Sequence, residues 1–224
     1  MKLHRTSGQP DWAGIDKSKY NFWQLLAAKT SGVITPGNIV TIVGLVLVIA
    51  GFIALVRQDY WLALTLVLVG RGLDLVDGWL AELTQTKSPL GEIMDATVDK
   101  LETIGVIIVL AVTEIAPLWV LAALAVPHVM IAIISILVRI QGKGLHPSRV
   151  GKVSMALLWL AVGGFIVLSI FNVATVGAAA YVAMWLAVAL GLYALVGYAR
   201  EADRVFFEAY KPADIAKEKV HAKP

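Results

Sequence analysis

Long apolar runs alternate with short polar stretches along the whole chain. Six runs fall at roughly residues 37–56, 60–83, 91–112, 117–140, 150–173 and 176–199. Each is near the ~20 residues that a helix needs to cross a bilayer. None shows the period-two alternation of a membrane strand, so the pattern predicts helices. Turn-forming residues mark the boundaries: Pro36-Gly37-Asn38 opens the first run, Ser88-Pro89 precedes the third, Pro117 opens the fourth, and His146-Pro147-Ser148 precedes the fifth. The expected fold is all-α: a polytopic membrane protein with six transmembrane helices in a bundle. Residues 1–34 are polar and mixed, and within Lys17–Lys29 the residues Tyr20, Phe22, Trp23, Leu25 and Leu26 form an amphipathic stretch. An N-terminal interfacial helix is expected there, with its aromatics at headgroup level. The domain reading is thus 1–34 cytoplasmic or interfacial segment, 35–200 six-helix membrane domain, and 201–224 charged cytoplasmic tail. No apolar run lies near the start, so no signal peptide is expected.

Composition sharpens this picture. Of 224 residues, 58% are hydrophobic and 16% charged, against about 45–50% and about 25% for a soluble domain. An ordinary cytosolic globule and a disordered chain are both excluded. The absence of cysteine excludes disulfide frameworks, thiolate metal sites and cysteine nucleophiles. The net charge of +3 is weak reason to expect nucleic acid; where the charges fall says more. Lysine and arginine concentrate in the N-terminal segment, around residues 139–152 and in the tail, and the connection after the second run holds Lys87. The positive-inside rule then places both termini in the cytoplasm, in a multi-pass protein of the cell membrane.

The second and third runs carry the chemistry. One ends Arg71-Gly72-Leu73-Asp74-Leu75-Val76-Asp77-Gly78-Trp79-Leu80-Ala81-Glu82, and the other begins Gly91-Glu92-Ile93-Met94-Asp95-Ala96-Thr97-Val98-Asp99-Lys100. Asp74 and Asp77 stand at i, i+3, and Asp95 and Asp99 at i, i+4, so each pair shares a helix face. The short connection makes the two helices antiparallel neighbours, and four carboxylates then converge near the cytoplasmic surface. One Asp at a membrane helix centre costs about 2.5–3.5 kcal/mol, and four together repel. A cation must compensate, and hard oxygen ligands suit Mg²⁺, Mn²⁺ or Ca²⁺. The small residues Gly78, Ala81 and Gly91 leave room for a close approach. The bland alternative is a set of solvated helix ends paired with Arg71, Lys87 and Lys100. A different class of function, a divalent-cation transporter, also fits four acids in a six-span bundle. Transporters, however, more often place such groups at mid-membrane on broken helices.

Asp74-x2-Asp77-Gly78-x2-Ala81 followed by Gly91-x3-Asp95-x3-Asp99 resembles the signature of the CDP-alcohol phosphatidyltransferase family, most like its phosphatidylglycerophosphate synthase-type members. The resemblance implies Mg²⁺-dependent transfer of a phosphatidyl group from a CDP-lipid such as CDP-diacylglycerol to an alcohol, with release of CMP. It implies two Mg²⁺ ions (with Mn²⁺ as the alternative) held by Asp74, Asp77, Asp95 and Asp99, with Asp99 also the catalytic base. It further implies CDP-lipid contacts at Asn38, Gly78, Ala81, Ser88, Gly91 and position 82, and a homodimer. Where the family usually has Arg, this chain has Glu82, which would repel a diphosphate. Either Arg71 substitutes, although it lies eleven residues earlier, about 16 Å along a helix, or it pairs locally with Asp74. Glu82 joins the metal cluster or points to water.

The cationic residues Arg139, Arg149, Lys152 and Arg200 offer an acceptor-binding set suited to a phosphate, or else are ordinary topological charges. Pro147-Ser148-x2-Gly151-Lys152 is similar to a loop of glycerol-phosphate-using members. The expected acceptor is sn-glycerol 3-phosphate, ahead of an inositol phosphate and then serine. His128, following Pro127 in mid-span, is read as serving backbone carbonyls rather than as a proton relay, and Trp79 as a pocket wall.

Overall fold

The computed structural model describes residues 9–13, 15–140 and 148–209. Among them are seven α-helices and no strand: α1 (Phe22–Lys29), α2 (Pro36–Val56), α3 (Tyr60–Leu83), α4 (Pro89–Val112), α5 (Leu118–Ile140), α6 (Arg149–Phe171) and α7 (Ala174–Ala209). The chain divides into two compact units, Met1–Ile115 with Phe165–Ala174, and Ala116–Gly164 with Thr175–Pro224.

Local chemistry explains the helix starts. The Thr35 hydroxyl accepts from the Asn38 N–H at 3.1 Å, with Pro36 in the first helical position of α2. Asp59 accepts from the Leu62 N–H to cap α3. Ser88, followed by Pro89, accepts from the Gly91 N–H at 3.0 Å to cap α4. In each case a side-chain oxygen satisfies an amide that the helix cannot, and proline loses nothing there because its position needs no donor. The α1 helix, only eight residues long, starts in a reciprocal capping box between Asn21 and Gln24. It is shorter than the amphipathic stretch, because Lys17–Lys19 forms a separate 3-10 turn. Phe22 and Leu25 remain exposed, whereas Trp12 is buried.

Four described helices are long and apolar enough to cross a membrane: α2, α5, α6 and α7. The expectation of six is therefore met by four on apolarity alone. Helices α3 and α4 have the length, 24 residues each, but Arg71, Asp74, Asp77 and Glu82 on one, and Glu92, Asp95, Asp99, Lys100 and Glu102 on the other, lower their hydropathy. The last helix also overturns a boundary. It runs to Ala209 rather than ending near 199, so residues 201–209 of the expected tail are helical. The run Arg200-Glu201-Ala202-Asp203-Arg204-Val205-Phe206 contains neither Gly nor Pro, and Ala202 is buried. Charged residues with good helix propensity extend a helix past the end of its apolar run.

Within the first unit, α2 and α3 meet along a seam of small residues. Gly37, Gly44 and Gly51 recur every seven residues, close to two helical turns, and so line one stripe of α2. A Cβ at Gly44 would lie 3.1 Å from the Gly70 carbonyl oxygen, and one at Gly51 only 2.8 Å from Val67 Cγ2. At Gly37 it would meet the Asp77 carbonyl oxygen and Ala81 Cβ, each at 3.0 Å. Small residues let two helix backbones approach this closely, and that approach brings Asp77 against α2. Gly44→Val should therefore cost about 1–3 kcal/mol through overpacking and lower the thermal unfolding midpoint. Gly72→Ala, whose Cβ meets nothing within 4 Å, should hold or raise the midpoint, since alanine favours a helix interior over glycine. Equal midpoints for the two variants would contradict the seam.

In the second unit, Ser148 caps α6 by accepting from the Gly151 N–H at 3.0 Å, and its own N–H donates to the Tyr198 hydroxyl. The Ser154 hydroxyl donates to the Ala187 carbonyl at 2.7 Å. His128 lies beside Pro127 inside α5; Nδ1 is 2.8 Å from the Leu124 carbonyl oxygen and Nε2 is 3.2 Å from Met155 Sδ. Its contacts are thus a backbone carbonyl of the proline-containing turn and a thioether.

Candidate active site

The C-terminal part of α3 and the N-terminal part of α4 place three carboxylates together. One oxygen from each of Asp74, Asp77 and Asp95 lies within 4.8 Å of the others. Oxygens that share one hard cation are separated by at most about twice the metal–oxygen distance, about 4–5 Å. The donor set, all carboxylate oxygen, therefore fits a divalent cation of the Mg²⁺, Mn²⁺ or Ca²⁺ kind. Asp77 is buried, Asp74 half-buried and Asp95 exposed, so the group is anchored on one side and open on the other. Thr41 of α2 holds Asp77 from behind, with its hydroxyl 2.5 Å from Asp77 Oδ2.

Asp99 is not one of this trio. One turn beyond Asp95, its Oδ1 lies 3.6 Å from Arg71 Nη1, and its side chain is 43% exposed. Arg71 pairs locally with Asp74 at 2.9 Å, and it also reaches Glu102 on α4. Of the two alternatives for Arg71, the local pair with Asp74 is present, and it extends to a residue that the sequence reading did not single out. Glu102 is 3% exposed. Its position, seven residues after Asp95 and three after Asp99, continues the same helix face, and that spacing is the signal by which it could have been found.

A cavity of about 220 Å³ adjoins the carboxylates. Its walls include Asn38, Gly78, Ala81, Ser88 and Gly91, together with Asp77 and Asp95. Gly37, Thr41, Thr86, Lys87 and Glu92 complete it, none of which the sequence pointed to as a contact. Asn38 has a structural duty as well: its Nδ2 donates to the Gly32 and Val33 carbonyls, both at 2.9 Å. A Cβ at Gly91 would sit 2.9 Å from Asn38 Oδ1, so packing alone calls for glycine there. At Gly78 nothing lies within 4 Å of a Cβ, so packing gives no reason for glycine and the space lies open.

Glu82 is absent from these walls. It is turned outward, its side chain 74% exposed, with Oε2 3.4 Å from Lys87 Nζ. Neither the metal-cluster nor the diphosphate-contact reading places it; it lies on the outer side of its helix, where an exposed ion pair contributes little. Trp79, expected as a wall, is 61% exposed and not part of the lining. The connection that carries Thr86, Lys87 and Ser88 is clamped by the N-terminal segment. The Asp11 N–H donates to the Lys87 carbonyl at 2.9 Å, and the Lys87 N–H donates to Asp11 Oδ2 at 3.1 Å. Asn21 Nδ2 donates to the Thr84 carbonyl, and Gln24 Nε2 to Gln85 Oε1.

Of the cationic residues, Arg149, Lys152 and Arg200 are exposed in the second unit. The side chain of Arg139 lies outside the described residues, as does His146.

Residues 34–193 match the profile of the CDP-alcohol phosphatidyltransferase family. No curated protein and no solved structure matches the chain. The match runs through α2 to α6 and into α7, and contains every element of the cavity wall named above. It also decides between the two classes of function that the acids left open. The chain belongs to the CDP-alcohol phosphatidyltransferase family: it is an enzyme that moves a substituted phosphate group from a CDP-alcohol to an acceptor in a divalent-metal-dependent reaction.

Proposed function

We propose that the protein is a phosphatidylglycerophosphate synthase-type enzyme that transfers the phosphatidyl group of CDP-diacylglycerol to sn-glycerol 3-phosphate and releases CMP. The observation that carries this reading is the trio Asp74, Asp77 and Asp95, opening onto a cavity walled by Asn38, Gly78 and Ala81. Asp74, Asp77 and Asp95 would hold Mg²⁺, two ions in all, with Asp99 reaching the second. When bound, such ions draw negative charge off the attacking and leaving oxygens of the diphosphate. Gly78 admits the donor closely because no side chain fills its space. Lys87 is a wall residue, and exchanging its exposed pair with Glu82 for the diphosphate would bring a positive charge to the donor. Asp99 takes the proton of the acceptor hydroxyl, whose oxygen then bonds to the lipid-bearing phosphorus. The bond from that phosphorus to the bridging oxygen breaks, and CMP leaves.

In this reading the four apolar helices and the two charged ones, α3 and α4, all span the cell membrane. Residues 35–200 form the membrane domain, both termini and the site face the cytoplasm, α1 lies in the interface, and the enzyme is a homodimer. Arg139, Arg149, Lys152 and Arg200 serve the acceptor phosphate.

The test is an acceptor screen with purified protein and CDP-diacylglycerol, following CMP. Glycerol 3-phosphate should give the highest rate, above inositol phosphate and serine. Lys152→Ala and Arg149→Ala should each raise the KM for glycerol 3-phosphate, leaving that for the CDP-lipid nearly unchanged. Loss of a charge-assisted contact costs about 1.5–3 kcal/mol, or roughly ten- to hundred-fold in KM. An unchanged acceptor KM would make these topological charges and remove the support for a phosphorylated acceptor.

A further inference from the structure

Arg71 joins the metal-facing side of α3 to the interior of α4. Its Nη2 lies 2.9 Å from Asp74 Oδ2, while Nη1 contacts Glu102 Oε2 and lies 3.6 Å from Asp99 Oδ1. The Glu102 side chain is 2% exposed. Burying a carboxylate costs several kcal/mol unless a well-placed cation meets it, and Arg71 is that cation. The family signature in this chain, Asp74 to Asp99, fixes neither residue.

A guanidinium is a rigid planar fork. Once Glu102 holds one prong, the direction of the other is set, and that prong meets Asp74. Asp74 Oδ2 is thereby committed to Arg71, which fixes how the carboxylate is presented to the trio. Outer partners of this kind orient metal-binding carboxylates and tune their affinity.

We propose that Arg71, anchored by the buried Glu102, is a positioning residue that fixes Asp74 and Asp99 for the cation site. The inference rests on the reading that Asp74, Asp77 and Asp95 hold a divalent cation. It has a sign. If Arg71 were only a positive charge near the site, it would repel Mn²⁺, and its loss would tighten binding. As a positioning residue, its loss weakens binding. If it merely held the fold together, its loss would lower the unfolding midpoint and leave Mn²⁺ affinity alone.

The experiment measures Mn²⁺ binding to the purified full-length protein without substrate, from the electron paramagnetic resonance signal of free Mn²⁺. Three variants are compared with the unaltered chain. Arg71→Gln/Glu102→Gln removes one charge of each sign, so net charge is constant and only the tether is lost. Arg71→Lys keeps the charge, loses the fork, and carries the test if the double variant does not fold. These two should bind Mn²⁺ about 10–100-fold more weakly. Unchanged or tighter binding by Arg71→Lys, or by a folded double variant, overturns the proposal. Asp77→Asn separates the two readings. If it binds Mn²⁺ as the unaltered chain does, the cation site itself is misplaced. If it loses Mn²⁺ while Arg71→Lys keeps it, the site stands and the positioning role falls.

Discussion

Asp99→Asn is expected to cut CMP release by about 10²–10⁴-fold, the usual cost of losing a general base, while CDP-lipid binding persists. Asp99 is the one signature carboxylate outside the trio. A turn beyond Asp95 on α4, it remains partly open to solvent, and Arg71 borders it at 3.6 Å. It is thus placed to serve the acceptor while the other three serve the donor. Asparagine retains the shape and one oxygen but cannot take a proton. The check is CMP release alongside CDP binding in the presence of Mg²⁺. More than about a tenth of the rate remaining, a loss smaller than general-base catalysis supplies, would remove Asp99 from that role.

Asp77→Asn should act earlier, on binding. Asp77 is 7% exposed, belongs to both the carboxylate trio and the cavity wall, and is held by the Thr41 hydroxyl. Losing an outer partner of a metal ligand costs about 10–100-fold in affinity, and losing the charge of a ligand itself should cost more. Cation-dependent CDP binding should fall below detection, and CMP release with it. Thermal unfolding in EDTA shows whether the fold survives. A folded Asp77→Asn protein that still binds CDP with Mg²⁺ would rule Asp77 out as a ligand.

The starts of α2 and α4 were legible because Pro36 and Ser88-Pro89 mark them locally, and that of α3 because its apolar run begins where Asp59 caps it. So were their ends, since the apolar runs stop at 56, 83 and 112 as the helices do; the turns that follow were not. At Gln58, Gln85 and Glu114 the chain turns through φ of +63°, +53° and +54°, where a sequence reading looks for glycine. The end of α7 was missed because an apolar run measures membrane thickness, not helix length. At the site, the four Asp stand at readable helical spacing. Glu102 stands on the same face but is set among apolar residues, and it was passed over although i, i+4 and i+7 from Asp95 name it. Contacts between distant segments are a different matter. Thr41 meets Asp77 across 36 residues of sequence, and Asp11 clamps Lys87 across 76. No local pattern encodes either; both follow from how helices and connections pack. The outward turn of Glu82 is also a product of that packing, since its neighbour Ala81 takes the inward place against Gly37.

The most direct measurement is calorimetric titration of the purified protein with CDP, once with Mg²⁺ and once with EDTA. Carboxylates so close together repel a diphosphate until a cation offsets them. Binding should therefore appear with Mg²⁺ and vanish with EDTA. Equal affinity in the two titrations would contradict a donor site built on Asp74, Asp77 and Asp95.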